Sequence, residues 1–426
     1  MKRVLIVTYY WPPTGGSGVQ RWVKFTKYLS RFGWECVVYT PENPEQLARD
    51  ESLLTDIPPE LTVLKKPIRE PYAMYRKFVG SSGKGGGVNQ LNHQKKSFLQ
   101  RLAVFVRGNL FVPDPRVGWV KPSVKFLSSY LQEHPVDAVV TTGPPQSMHL
   151  IGLGLKRSTG VRWIADFRDP WTEIFYFKHM GLTPWTAARH RNLEQQVLDE
   201  ADTVISVSPP VRDDFAKRTS TPVVLLTNGY DEADFNRNAP ALPEDRFTIV
   251  HTGLFASDGN PLCLWDVLAR KCTSDSAFKQ QLRIRLAGKT DSEIIEALRV
   301  RGLSDNVDDL GYLPHFQTVA EQRSANVLIL PLRQEPEYAK VLPGKIFEYL
   351  AARRPVLGIG QENGAAAAVL KDSGAGVMFD WDRTDPIRNW IDSAWERHLR
   401  GEEAPCEGNI SSYSRLELTR KLSEIL

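Results

Sequence analysis

The sequence predicts two open α/β domains, each built on a parallel sheet, and three observations lead there. Short Val- and Ile-rich runs alternate with amphipathic helical stretches. That alternation runs twice, broken by the polar, proline-bearing stretch "DEADFNRNAPALPEDR" at 231–246. At 426 residues the chain also exceeds one ordinary core and suits two domains of roughly 150–250 residues each.

The first series opens with the strand "RVLIVTYY". A glycine-rich turn leads to the helix "VQRWVKFTKYLSRFG", with Val19, Trp22, Val23, Thr26 and Leu29 on one face and Gly33 ending it. "ECVVYT" is the next strand. "DAVVTT", the helix "HLIGLGLKRS", the strand "RWIADF", a helix from about Ala187 to Glu200, then "TVISVS" and "PVVLLTNGY" complete the series. The second series reads "FTIVHTG", "LRIRLAG", "VDDLGYL" and "NVLILPL", the helix "KIFEYLAARR", then "PVLGIG" and "GVMFD". The expected domains are 1–235 and 236–411. In sheets of this kind ligands sit at the carboxyl ends of the strands, so a shared ligand is expected in a cleft between the domains.

Composition narrows the class. With 42% hydrophobic and 24% charged residues, the chain matches a water-soluble globular protein. Cys36, Cys263, Cys272 and Cys406 form no C-x-x-C pair, which suits a reducing compartment and argues against a zinc site. No charged-then-apolar leader precedes the first strand and no apolar run reaches the ~18 residues of a membrane span, so a cytoplasmic protein is expected.

The net charge of +4 is unevenly spread: residues 65–125 carry thirteen Lys or Arg against only Glu70 and Asp114. Within this window "KKSFLQRLAVFVRGNLFV" interleaves bases with Phe98, Leu102, Phe105, Val106, Leu110 and Phe111. Such a stretch can lie on an anionic membrane surface, giving a peripheral protein, or can be a helix with a solvated basic face. Nucleic acid is not expected, since no recognition motif accompanies the charge. "GSSGKGGG", 80–87, reads as a flexible loop.

Three constellations carry candidate chemistry. In "YYWPPTGGSGVQRWVKF" the turn at Gly15, Gly16 and Gly18 brings backbone N–H groups where an anion can be approached. It is not a dinucleotide fingerprint, because Arg21 occupies the third glycine position. In "VLPGKIFEYLAARRPVLGIG", Pro343 and Gly344 mark a helix start and Lys345 lies in the first turn. Glu348 follows on the same face, ~4.5 Å further along the axis. A helix N-terminus beside a lysine suits a diphosphate, and a carboxylate one turn deeper can accept two ribose hydroxyls. The bland alternative is a solvated lysine and a carboxylate that complements the helix dipole.

The third is "WIADFRDPW", where Asp166, Arg168 and Asp169 crowd a strand end. They suit binding or orienting acceptor hydroxyls, or form a buried pair that fixes the loop. "TTGPPQSMH" ends the preceding strand, and its His149 is a candidate proton relay or a surface cap. Neither G-x-S-x-G nor H-E-x-x-H occurs, and no histidines have metal-ligand spacing, so no metal is expected.

These stretches together resemble the retaining, nucleotide-sugar-dependent glycosyltransferases of GT-B architecture and family-4 type. The likeness runs through "GGSG", "VISVSPPVRDDF", "LLTNGYDEADF", "VHTGLF", "LGYLPH", "SANVLILPL" and "PGKIFEYLAARRPVLG" in that order. It implies two Rossmann-like domains facing across a cleft, with an acceptor-binding first domain onto which a C-terminal helix, 412–426, returns.

The resemblance also implies roles. Lys345 would hold the donor diphosphate with Gly253 and Gly344, Glu348 the ribose, and Gly15, Gly16 and Gly18 would approach the phosphates or sugar. Read from their own chemistry and position, and not from the resemblance, His149 and Arg21 are expected to face the acceptor, and Asp166, Arg168 and Asp169 the reacting groups. The donor's own phosphate oxygen would take the acceptor proton, with neither cofactor nor metal.

The sequence departs from the family pattern in places. Lys340 stands where the family's first glutamate belongs, and Glu335 and Glu337 are out of register. No base follows "TG" in "TGLFASDGNP", leaving Lys289 to neutralise phosphate, and Arg168 replaces a common histidine. The expected activity is sugar transfer from a nucleotide sugar to a glycan or lipid-linked acceptor in cell-surface polysaccharide synthesis. A sugar-nucleotide epimerase or hydrolase, or a non-catalytic partner in glycan assembly, are the alternatives.

Overall fold

The structure, a computed structural model, describes residues 1–45, 49–70, 104–106, 108–235, 246–402, 406 and 408–426. The 80–87 loop, most of the 231–246 linker and most of the basic amphipathic stretch lie outside the described residues. Two compact units emerge: Met1–Thr227 with Leu418–Leu426, and Asn228–Glu417.

The first unit contains β1 (Lys2–Val7), α1 (Ser17–Leu29), β2 (Trp34–Pro41), β3 (Thr62–Lys66), α2 (Val120–Glu133), β4 (Ala138–Gly143) and α3 (Ser147–Thr159). It continues with β5 (Trp163–Phe167), α4 (Pro184–Glu200), β6 (Thr203–Ser206), α5 (Pro209–Ala216) and β7 (Val223–Leu225). All seven strands are parallel, in the order β3-β2-β1-β4-β5-β6-β7.

Strand parity divides the core into two layers. Leu5, Val7, Trp163, Ala165 and Phe167 pack with Leu127 of α2 and Ile151 of α3. Val4, Ile6 and Ile164 pack against Val19, Trp22, Val23 and Leu29 of α1, and against Leu418, Leu422 and Leu426. Burying each of these C-terminal leucines contributes ~1.5–3 kcal/mol, which ties the last segment to the first unit. The edge strand β3 escapes the sequence pattern because it is short, half-exposed and lysine-ended, as edge strands often are.

The second unit contains α6 (Glu232–Phe235), β8 (Thr248–Thr252), α7 (Leu262–Ser274), α8 (Ser276–Gln281), β9 (Arg283–Ala287), α9 (Ser292–Arg299), β10 (Val307–Gly311) and α10 (His315–Ser324). After these come β11 (Val327–Pro331), α11 (Lys345–Ala352), β12 (Val356–Ile359), α12 (Ala365–Asp372), β13 (Gly376–Phe379) and α13 (Thr384–Leu399); α14 (Arg415–Ile425) starts in this unit and passes into the first at Leu418. Its six parallel strands run β10-β9-β8-β11-β12-β13.

The division falls at Thr227/Asn228 and within α14 at Glu417/Leu418, not at the expected 235/236 and 411/412. Tyr230 explains the shift. Its N–H donates to Tyr413 O at 3.1 Å, its carbonyl accepts from Arg415 N–H at 2.7 Å, and its ring joins the second unit's core.

In each sheet the chain reverses direction of winding once, between β1 and β4 and between β8 and β11. Ligands of such sheets bind beside the carboxyl ends of the strands at that point. The Gly15–Gly18 turn and the Gly253 turn follow β1 and β8 there. Among the described residues no helix is long and apolar enough to cross a membrane.

Candidate active site

In the second unit, parity sends alternate residues of β8 to opposite faces. Val250 enters the layer of Ile346, Phe347 and Leu350, the buried face of α11. Thr252 follows: its N–H donates to Tyr349 Oη at 3.0 Å and its Oγ1 accepts from Gln322 Nε2 at 3.1 Å. His251 points the other way and stacks on Phe255 with ring centroids 4.2 Å apart. The chain then turns at Gly253, whose φ of +87° suits glycine. Gly288, at φ +142°, lies so close to the Gly253 carbonyl that a Cβ there would collide with it. The turns after β8 and β9 are thus locked together, with Gly253 N–H donating to Ala287 O at 2.7 Å and Phe255 N–H to Lys289 O at 2.9 Å.

Gly344 is the N-cap of α11, with no side chain capping the first turn. Lys345 extends over Gly253, and its Nζ donates to His251 Nε2 at 2.9 Å and to Leu254 O at 3.2 Å. Burial lowers the Lys345 pKa to about 7, opposed by Glu348. Burial also holds His251 far below the usual imidazole range, with Lys345 adding to the effect. A neutral imidazole therefore faces an amine whose charged form burial disfavours.

One turn deeper, Glu348 is held from both sides. Oε1 lies 3.2 Å from His315 Nε2 at the start of α10, and Oε2 accepts from Gln322 Nε2 at 2.9 Å. Burial works to raise its pKa, but the hydrogen bonds from His315 and Gln322 keep the carboxyl below its ordinary range. Lys345, Glu348, Gly253 and Gly344 are thus brought to one locus, and Lys289 stands exposed on the adjoining turn. His251, His315 and Gln322 were missed by the sequence reading. "IVHTG" and "LPH" held the two histidines, but only the fold shows which groups they meet.

In the first unit Gly16 caps α1 at φ +113° with no side-chain cap. Gly15 is buried beside it, and a Cβ on Gly18 would collide with Arg168. Here three expectations need correction.

Arg21 and Asp166, expected to face acceptor and reacting groups, are both wholly buried. Asp166 shares the Ile164 face of β5 and so points at α1. Its Oδ1 accepts from Arg21 Nη2 at 2.8 Å and its Oδ2 from Trp22 Nε1 at 2.8 Å and Thr142 Oγ1 at 2.9 Å. Arg21 also donates to the carbonyls of Thr227 at 2.8 Å and Leu226 at 2.9 Å. Burial would raise the Asp166 pKa, yet Arg21 and Trp22 hold it below the ordinary range.

Arg168, expected to act on the reacting groups, is also committed within the protein. It donates to Gly18 O at 2.7 Å, to Gly143 O at 3.3 Å and to Pro144 O. It thereby clamps the glycine turn to the end of β4.

His149 is neither a relay to solvent nor a surface cap. It is fully buried, stacked on Phe167, with Nδ1 2.9 Å from Thr141 Oγ1. Burial drives its pKa down to about 3, against the pull of Asp166, so it stays neutral.

Asp169 is different. It is partly exposed at the end of β5, and no hydrogen bond to its carboxylate is found among the described residues. Burial raises its pKa to about 6, with Arg168 opposing. Of the two strand-end carboxylates, it is the one with no hydrogen-bond partner among the described residues.

Residues 15–229 match the glycosyl transferase 4-like domain and residues 246–392 the glycosyl transferases group 1 domain. No curated protein sequence is significantly similar to the chain. Several solved structures share its fold. Sucrose-phosphate synthase from Thermosynechococcus elongatus aligns at a TM-score of 0.62 and 14% identity, over 100% of this chain and 95% of that one. WaaG, a glycosyltransferase involved in lipopolysaccharide biosynthesis, aligns at 0.58 and 14%, over 99% of both chains. S. aureus TarM, in complex with fondaparinux, α-GlcNAc-glycerol and UDP, aligns at 0.60 and 9%, over 100% and 99%. With two parallel-sheet units of GT-B type and both domain families matched in order, the chain belongs to the glycosyltransferases that join a glycosyl transferase 4-like domain to a group 1 domain.

Proposed function

We propose that this glycosyltransferase moves a sugar from a nucleotide-diphosphate sugar to a glycan or lipid-linked acceptor in cell-surface polysaccharide synthesis, with retention of configuration. The observation that supports this most is Lys345, at the uncapped N-terminus of α11, reaching over Gly253 with Glu348 fixed one turn deeper. The second unit takes the donor: Lys345 and the α11 N–H groups meet the diphosphate, and Glu348 the ribose. As the bond from the sugar to the diphosphate breaks, charge grows on the leaving oxygens. A lysine and helix amides already aimed there stabilise it without reorganisation. A donor phosphate oxygen takes the acceptor hydroxyl's proton on the face that the diphosphate leaves, which preserves configuration. In this scheme no metal is required.

The first unit takes the acceptor, with Asp169 orienting its hydroxyl. Buried Arg21, Asp166, Arg168 and His149 hold the walls. The excess of basic residues over 65–125 favours an acceptor that is lipid-linked or otherwise anionic, met by a peripheral enzyme.

A thermal-shift panel of UDP-, GDP- and ADP-sugars tests the donor reading. Ligand at a hundredfold over its dissociation constant stabilises by about 2.7 kcal/mol. One donor class should shift the wild type, and Glu348→Ala should remove the shift. A full shift in Glu348→Ala contradicts the ribose role. Asp169→Asn should keep the shift and lose transfer.

The pH profile follows from the same groups. Asp169 must be ionised and Lys345 protonated, so kcat/KM should rise through about 6 and fall above about 7. In Asp169→Asn the acid limb should vanish. A flat profile from pH 6 to 9 in the wild type contradicts both assignments.

One specific feature favours a second reading. Lys340, in the turn Pro336–Lys340, occupies the place of the family's first glutamate, as a non-catalytic donor-binding partner could tolerate. Donor binding with no turnover on native acceptors would select it.

A further inference from the structure

Apart from Met1 and Leu54, the large apolar side chains exposed on the described part of the first unit are Phe105, Val106, Leu110 and Trp185. Phe105, Val106 and Leu110 share one segment, and Trp185, far along the chain, opens a helix whose leading residues pack against that segment. Asn109 joins them: its Oδ1 accepts from Thr183 N–H at 2.8 Å, and its Nδ2 donates to Gly181 O at 3.1 Å and Phe105 O at 2.8 Å. Gly108 seats the contact, since a Cβ there would lie 2.9 Å from Leu182 Cδ2 and 3.0 Å from Met180 O. Thr183 then caps α4 by accepting from Thr186 N–H, which sets Trp185 in the first turn, 69% exposed, next to the segment bearing Leu110, 71% exposed.

The rim of this patch is basic. Lys178, His179, Arg189 and Arg191 are exposed, and the Arg189 guanidinium sits 5.7 Å from the Trp185 ring. Between 172 and 192 the sole acid is Glu173, and the Asp114 carboxylate is engaged by Ser147 N–H and Oγ at the start of α3. Seven further Lys or Arg and no acid occur between 71 and 113. Exposed tryptophan and leucine inside a ring of one charge sign fit the boundary between lipid headgroups and acyl chains. A rim of one charge sign around an apolar centre calls for a partner that is anionic all round and apolar beneath, as an acidic bilayer surface is.

We propose that this patch docks the enzyme on an anionic bilayer. Trp185, Leu110, Phe105 and Val106 enter the headgroup layer, and Lys178, Arg189 and Arg191 face lipid phosphates. The proposal deepens the peripheral-membrane part of the reading above and stands apart from the donor site in the other unit.

The test uses the full chain and vesicles of phosphatidylglycerol in phosphatidylcholine, with pure phosphatidylcholine as the neutral arm. The wild type should co-sediment with anionic vesicles at low salt and release as salt rises. Trp185→Ala/Leu110→Ser should weaken binding by about tenfold or more, because two buried apolar contacts are lost. Arg189→Glu/Arg191→Glu should weaken it and flatten the salt dependence. Brominated lipid should quench wild-type fluorescence, and Trp185→Phe should lose most of that quenching while still binding.

Donor-induced thermal shift should be equal in every variant, so failure of the donor reading leaves these results intact. Equal vesicle binding by the wild type and Trp185→Ala/Leu110→Ser overturns the proposal, as does unchanged quenching in Trp185→Phe. A wild-type dimer that Trp185→Ala/Leu110→Ser converts to monomer, with no vesicle binding by either, also overturns it by assigning the patch to a second copy of the chain.

Discussion

Lys345→Ala is expected to lower kcat for sugar transfer by roughly 10²–10³-fold, the usual cost of removing one preorganised group from a developing negative charge. Donor affinity should fall as well, by the ~1.5–3 kcal/mol of a hydrogen bond to a charged group. Folding stability should not fall with it. Burial puts this lysine's pKa at about 7, below its unfolded value near 10.4, so the charged form opposes folding. The wild type should therefore gain stability relative to Lys345→Ala as pH rises from about 7 to 10, the sign expected for a depressed base. Steady-state kinetics and thermal melts over that range separate the two effects. A variant that melts early and keeps its kcat would place Lys345 in the scaffold instead of the site. Lys345→Arg should rescue only in part, because a planar guanidinium does not fit where a compact ammonium passes over Gly253 towards His251.

Arg21→Met should act in the opposite way, through stability. It strands the Asp166 carboxylate in a fully buried layer, and breaking such a pair costs roughly 3–5 kcal/mol. For a unit of this size that lowers the melting temperature on the order of 10 °C. Donor-induced stabilisation, which belongs to the other unit, should survive in whatever fraction folds. Arg21→Met/Asp166→Leu should recover much of the loss, since replacing both charges by apolar groups removes the unpaired carboxylate. A fully stable Arg21→Met with a raised KM for acceptor alone would restore the acceptor-facing role that the burial argues against.

These two outcomes mark what was legible in the sequence. The alternating runs located every strand of the second unit: β11 and β12 are buried and almost wholly apolar, while β9 and β10, which carry charged residues, stood out by their place in the series between turns. In the first unit the same signal missed β3, whose exposed edge carries lysines. On α1 the spacing of Val19, Trp22, Val23, Thr26 and Leu29 predicted the buried face. It could not show that Arg21 and Lys24 are buried too, each paired with a carboxylate far along the chain, Asp166 and Asp56.

The site divides along the same line. Lys345 and Glu348 sit three residues apart on one helix, so local geometry alone brought them together. Asp166, Arg168 and Asp169 are as close in sequence, yet strand parity and loop direction give them three different environments: a buried ion pair, a carbonyl clamp and a partly exposed carboxylate. His251 approaches from β8, and His315 and Gln322 from α10, and no spacing rule foretells contacts of that range.

The central claim is that the donor's diphosphate rests against Lys345 at the start of α11. A crystal structure of the chain with the nucleotide sugar that gives the largest thermal shift tests it most directly. Phosphate oxygens are expected within hydrogen-bonding distance of Lys345 Nζ and the first N–H groups of α11, with ribose hydroxyls on Glu348. A well-ordered donor whose diphosphate lies elsewhere, with Lys345 still bonded only to His251 and Leu254, would contradict it.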